Sequence, residues 1–183
     1  MGSIEYRRAG PEDYAEIVRL QRAYYISNLT AEERREGFLS AEFSLEQVAA
    51  IATDLGIAIV TMDNDLAGCV CGIRREFDHR SPVVAKMLDS YDQVWFEDKP
   101  LSAFNSYIYG PVCLARQYRR RGLLRGLYDF QKKDLAGRFE LGVALVSHSN
   151  PHSMQAHVEG LGMTKTGEFE LNGSLFAILA FRI

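Results

Sequence analysis

The sequence predicts a mixed α/β fold on three observations. Strand-like and helix-like stretches alternate along the whole chain. Two turn signals, Asp63-Asn64-Asp65 and Asn172-Gly173, each join a pair of strand-like runs as an antiparallel hairpin. An apolar strand, a basic loop and a helix follow one another through residues 112–125.

Taken in order, Ile4 to Arg8 alternates as a short strand. Gly10-Pro11-Glu12-Asp13 then supplies a helix start, with proline at the first helical position and acids in the first turn. Tyr14, Ile17, Val18, Gln21, Tyr24 and Tyr25 follow with helical spacing. Thr30-x-x-Glu33 and Ser44-x-x-Gln47 read as capping boxes, the second opening a helix that stops at Gly56. Ile57 to Met62 and Leu66 to Arg74 form the first hairpin. Ser81-Pro82 opens an inserted helix whose face is Val84, Met87, Leu88, Tyr91 and Trp95, ending before Pro100. Ala103 to Ala115 is the central strand; proline cannot donate to a ladder, so Gly110-Pro111 marks a bulge or a splayed edge within it. Gly122 to Gly137 is helical, with Leu123, Leu124, Leu127, Phe130 and Leu135 facing inward. Leu141 to Ser147 is a buried strand, Pro151 to Gly160 a helix, and Lys165 to Leu171 with Ser174 to Ile183 the closing hairpin.

With 183 residues and 47% hydrophobic content the chain can bury one sizeable core, and nothing in it marks a boundary, so one domain over residues 1–183 is expected. The formal charge of -3 hides a local asymmetry: Arg116, Arg119, Arg120, Arg121 and Arg125 crowd into ten residues. That favours a small anionic ligand over nucleic acid, which calls for a chain basic overall. Cys69, Cys71 and Cys113 read as reduced core thiols, and Cys-x-Cys without companion ligands argues against a metal site. No run reaches the 18 or so apolar residues of a membrane span and no signal peptide is evident, so a cytoplasmic protein with no membrane partner is expected.

Residues 112–125 carry the chemistry. The first turn of a helix leaves backbone N–H groups unpaired and adds partial positive charge, so an anion docks there readily. Gly122 lets the backbone come close. Basic residues in that turn oppose the helix dipole, and a bound anion offsets the opposition.

Arg119, Gly122 and Leu124 fall on the cofactor signature of the GCN5-related N-acetyltransferase (GNAT) family, Arg or Gln, two residues, Gly, one residue, Gly or Ala, which this segment resembles. Leu124 departs from it in side-chain bulk but keeps its backbone N–H. Downstream, Asn150, Ser153 and Leu161-Gly162-Met163 match the family's Asn, small residue and Leu-Gly-Phe. The resemblance implies the GNAT fold, a mostly antiparallel sheet splayed between two parallel central strands with helices on both faces, and acetyl-CoA or coenzyme A as cofactor. It implies pyrophosphate binding by Arg119, Arg120, Arg121, Gly122, Leu123, Leu124 and Arg125, pantetheine along Val112, Cys113 and Leu114, and further cofactor contacts at Asn150 and Ser153. The family often carries a Tyr on the following helix that protonates the departing thiolate. Counting seven on from Asn150 gives His157, whereas counting back from Leu-Gly-Met gives Val158. His157 is the catalytic candidate, since an imidazole titrates near neutrality. The strands where the family places a Glu base read Asn105-Ser106-Tyr107-Ile108-Tyr109 and Ala144-Leu145-Val146-Ser147, with no carboxylate; a water chain, Asp78 or His79 stands in. The implied activity is direct acyl transfer to a primary amine, small-molecule or peptide, in a homodimer. The alternative is an acyl-CoA-binding sensor without turnover. The inserted helix is read as a lid over the acceptor or a dimer contact.

Overall fold

The computed structural model describes residues 2–77 and 81–183. Asp78 and His79, two of the sequence-derived stand-in bases, lie outside the described residues.

Among the described residues seven strands form one sheet: β1 (Ile4–Arg8), β2 (Ile57–Met62), β3 (Asp65–Arg74), β6 (Ser106–Leu114), β7 (Leu141–Ser147), β8 (Thr164–Leu171) and β9 (Ser174–Arg182), in the order β1-β2-β3-β6-β7-β9-β8. Every neighbouring pair is antiparallel except β6 and β7. That parallel pair is short, joining only Ser106–Ile108 to Leu141–Val143. Beyond it the two strands part. The register of β6 against β3 shifts at the same level, opposite Gly110-Pro111, where the peptide bond is cis. Proline's missing N–H and glycine's φ of 118° therefore sit where the ladder breaks.

Alternation on β2 shows how the sheet divides two cores. Ile57 and Ile59 point to one face, toward α1 (Tyr14–Tyr24) and α3 (Leu45–Asp54); Ala58 and Val60 point to the other, toward α5 (Leu123–Leu135). The helices begin where the sequence says. Thr30 caps the single-turn α2 (Ala31–Arg34), Ser44 caps α3, and each capping box is closed in both directions. Gly126 sets the height of α5 over the sheet, because a Cβ there would lie 2.1 Å from the ring of Tyr6. Buried Gln131 of α5 spans the core to Tyr107 Oη (3.1 Å) and Val70 O (3.4 Å).

The inserted helix is shorter than the spacing predicts. α4 is Pro82–Asp89; Ser90 then turns its hydroxyl back to Met87 O at 2.6 Å, and Ser90 to Val94 continue as turns. Tyr91 still reaches the core, but Trp95 is 57% exposed and belongs to a small hairpin, β4 (Trp95–Phe96) with β5 (Lys99–Pro100), reversed at Glu97 with φ 55°. Helical periodicity misleads there because a turn can deliver Tyr91 to the same apolar face.

The last helix also departs from a plain α-helix. α6 is Pro151–Gln155, and Ala156–Gly160 is a π turn, beyond which Met163 N donates back to His157 O at 3.0 Å. A π turn holds one more residue than an α turn. It accounts for the two counts along this segment, from Asn150 forward and from Leu-Gly-Met backward, differing by one residue.

Candidate functional site

The strand-loop-helix segment folds as β6, a short loop and α5, and the loop is shaped by two left-handed residues. Arg120 has φ 61° and Gly122 has φ 77°. Gly122 is the N-cap of α5, and a Cβ built on it would meet nothing within 4 Å, so the backbone faces open space. The N–H groups of Leu123, Leu124 and Arg125 form the first turn, and Gly126 is the first to bond back, to Gly122 O at 3.3 Å.

A cleft of about 350 Å³ opens at this helix end. Of the sequence-derived cofactor residues, Val112, Cys113, Leu114, Arg119, Arg120, Gly122, Leu123, Leu124, Arg125, Asn150 and Ser153 line it. Arg121 does not; its exposed guanidinium lies 5.9 Å from the Tyr118 ring. The arginines divide by task. Arg119 is a brace: Nε donates to Leu114 O at 3.0 Å, Nη1 to Glu36 O, and the guanidinium lies 5.0 Å from the Tyr24 ring centre. Arg125 donates to Gly160 O and so ties the first turn of α5 to the π turn. Arg116 pairs with Glu36 at 2.9 Å. Arg120 is exposed and has no acidic partner among the described residues, leaving its charge available at the mouth.

The opposite wall comes from residues 36–39, which the sequence reading did not assign to the site. Long-range bonds hold that loop in place. Leu39 exchanges backbone hydrogen bonds with Tyr24 and Ile26, at 2.8 and 3.0 Å, and Arg116 N donates to Tyr24 Oη at 2.7 Å. Asn150 joins the loop to α6: its Nδ2 donates to Phe38 O (3.0 Å) while Oδ1 accepts from Ser153 N (3.2 Å) as the helix cap.

A second cavity, of about 110 Å³, occupies the gap where β6 and β7 part. Phe38, Leu39, Val112, Asn150, Ser153 and His157 line both spaces, so the two meet at one wall. His157 stands in that wall at 6% exposure, while Val158 is half-buried against the α5 core. The imidazole Nδ1 lies 2.8 Å from Ser153 O and 3.3 Å from Ser153 Oγ. A carbonyl only accepts, so Nδ1 carries a hydrogen and the Nε2 lone pair remains. Burial pushes the pKa of His157 down, and the bond to Ser153 only partly opposes it. The ring of Tyr109 packs edge-on to His157 with centroids 6.0 Å apart, and burial holds its phenol far above the ordinary range.

Strand β6 beyond Ile108 has no ladder partner on its β7 side. Main-chain groups there face the gap and are available to a ligand. An acetyltransferase of the GNAT family from Streptococcus agalactiae superposes with a TM-score of 0.68 at 15% identity, covering 98% of this chain and 95% of its own. The ribosomal-protein-S18-alanine N-acetyltransferase of Escherichia coli gives 0.63 at 12% identity, with 99% and 94% covered. A Salmonella typhimurium protein solved with its cofactor acetyl-CoA gives 0.57 at 15%, with 98% and 93% covered. The chain has the GNAT acetyltransferase fold. At these identities the GNAT likeness is one of architecture. No protein-family model and no curated protein sequence matches the chain.

His148 pairs with Glu168 at 2.8 Å, away from the cleft that His152 and His157 both line, so the three histidines of this segment do not gather at one point. No group of three or more His, Cys, Asp or Glu able to hold a metal is found among the described residues. The three cysteines are free and buried, and desolvation raises each thiol, Cys69 to about 12, which makes them unreactive. No helix among the described residues is long and apolar enough to cross a membrane.

Proposed function

We propose that this protein is an N-acetyltransferase that takes an acetyl or similar acyl group from coenzyme A and passes it directly to a primary amine. The observation that carries the reading is the meeting of two cavities at one wall: a cleft headed by a free helix N-terminus, and a smaller cavity in the β6–β7 gap, with His157 between them. The residues fit a diphosphate-bearing cofactor. Gly122 leaves space above the first turn of α5, Arg120 supplies uncompensated charge, and the open edge of β6 supplies main-chain groups along the way to the second cavity.

When bound, the cofactor supplies a thioester carbonyl. The N–H groups of Leu123 to Arg125 would hold its pyrophosphate, Val112 to Leu114 its pantetheine arm, and a β6 N–H would polarise the carbonyl. His157, neutral and held by Ser153, would accept the amine proton at Nε2 and return it to the sulfur. This differs from a standing acid: a histidine whose pKa is lowered has no proton to spare at neutral pH. Cys113 takes no part as nucleophile.

Buried, free thiols accord with a reducing, cytoplasmic setting. A second reading, binding of acyl-CoA without turnover, is favoured by the absence of a carboxylate among the described residues that line the smaller cavity. A thermal-shift series with coenzyme A and acetyl-CoA, followed by a thiol-release assay with mixed amines, separates the readings. Stabilisation with amine-dependent thiol release is expected; stabilisation with no release for any amine leaves a binding module, and no stabilisation defeats both.

A further inference from the structure

We infer that the acceptor is an uncharged apolar amine, bound as the free base, and not a polyamine, amino acid or basic peptide. The inference rests on the acyl-CoA reading above and adds the chemistry of the second substrate. The β6–β7 cavity has three walls. One is the loop from Phe38 to Phe43, fixed by Gln21 Oε1 accepting from Phe43 N at 3.1 Å. Another is the start of α4, with Val83 and Val84 facing in. The third is the parted strands, with Ile108, Val112, Leu145 and Val146. No Asp, Glu, Lys or Arg is among the described residues that line it.

An ammonium desolvated in such a space, with no carboxylate to pair, is strongly disfavoured relative to the neutral amine, and an α-carboxylate has no cation to meet it. A polyamine would bury a second charge at the same disadvantage. An apolar body gains from the walls instead. Two buried hydroxyls border the space without a hydrogen-bond partner among the described residues, Ser81 Oγ at the cap of α4 and Tyr109 Oη. Ser81 makes no cap bond to its own helix. The helix thereby has a role as one wall of the acceptor site.

The chemistry balances without a further base. The free amine brings its own lone pair; the C–N bond forms as the thioester C–S bond breaks, sulfur keeps the electron pair, and the proton lost by nitrogen passes through His157 Nε2 to the thiolate. The products are the amide and the free thiol, with no net proton released by an amine that entered neutral.

The test uses the full chain with 2-phenylethylamine, spermidine and L-alanine, read by calorimetry in saturating coenzyme A and by thiol release with acetyl-CoA. 2-Phenylethylamine is expected to bind the coenzyme A complex and to turn over with kcat/KM at least about tenfold above the other two. In a series of arylalkylamines the acidic limb of kcat/KM should track each amine's own pKa. Val84→Asp, a substitution at a half-buried position, should narrow or invert the preference toward spermidine. Spermidine or alanine at parity with or above 2-phenylethylamine, or no binding of 2-phenylethylamine to a coenzyme A complex that does form, would each overturn the inference. Failure of coenzyme A itself to bind would instead remove the acyl-CoA reading beneath it.

Discussion

Replacing Gly122 by alanine separates a seat for phosphate from a mere helix start. At φ 77° the new Cβ incurs the left-handed penalty of about 1–2 kcal/mol, and it meets no protein atom within 4 Å, so no clash adds to that strain. For a chain of this length the melting temperature should fall by about 2–4 °C per kcal/mol. Gly137, just past the end of α5, is a matched control, with φ 76° and likewise nothing within 4 Å. Both variants should therefore lose similar stability. They should differ in ligand binding, because only at Gly122 does the methyl project where a pyrophosphate would approach. Loss of one charge-assisted hydrogen bond is worth about 1.5–3 kcal/mol, or roughly ten- to a hundredfold in Kd for coenzyme A. Calorimetry on both proteins, with thermal melts beside it, reads the two effects apart. Equal coenzyme A affinity in Gly122→Ala, Gly137→Ala and the parent protein would refute the reasoning.

Further predictions follow from the same geometry. His157→Gln should lower kcat with little change in coenzyme A affinity, and a kcat that falls with rising pH in the parent enzyme would identify an acid and contradict the base; Tyr109 on β6 is the titratable side chain packed on this ring, with Arg125 tied to the end of its π turn. Because burial lowers the folded pKa of His157 from 6.5, the unfolded chain binds more protons just below that value, so this group's contribution to stability falls as pH drops through 6.5 and is constant above it. The slope is at most about 1.4 kcal/mol per pH unit, and urea melts from pH 5 to 8 should show it flattened in His157→Gln. Arg120→Ala should weaken coenzyme A binding about two- to fivefold at low salt and less at high salt, with no loss of melting temperature, whereas Arg119→Ala should also destabilise the fold because it braces Leu114 and the Glu36 loop. Leu127→Ala, at a fully buried position on the inner face of α5, should cost about 2–5 kcal/mol in chemical denaturation.

What the sequence disclosed and what it withheld divide along range. Capping boxes at Thr30 and Ser44, the turn at Asn172-Gly173 and the glycine at the head of α5 are local devices, so their residues announce them. The cleft-lining residues between Val112 and Arg125 lie in one stretch of chain for the same reason, while Asn150 and Ser153 come from the start of α6. The wall from Glu36 to Leu39 is not legible in this way, since long-range bonds from Tyr24, Ile26, Arg116, Arg119 and Asn150 bring it over the cleft. Arg121 was grouped with its neighbours by charge, but the left-handed turn at Arg120 sends it toward Tyr118. Periodicity carries α4 past its true end because Tyr91 satisfies helical spacing while reaching the core from a turn. The π turn showed itself in the sequence only as a count that would not close between Asn150 and Leu161-Gly162-Met163, and the backbone accounts for the difference.

The central claim, a diphosphate seated on the amides that open α5, is tested most directly by a nitrogen-proton correlation titration with coenzyme A. Saturable downfield shifts are expected, largest at the Leu123, Leu124 and Arg125 amides and reduced in Gly122→Ala. Shifts confined to residues away from that turn, or none at saturating coenzyme A, would contradict it.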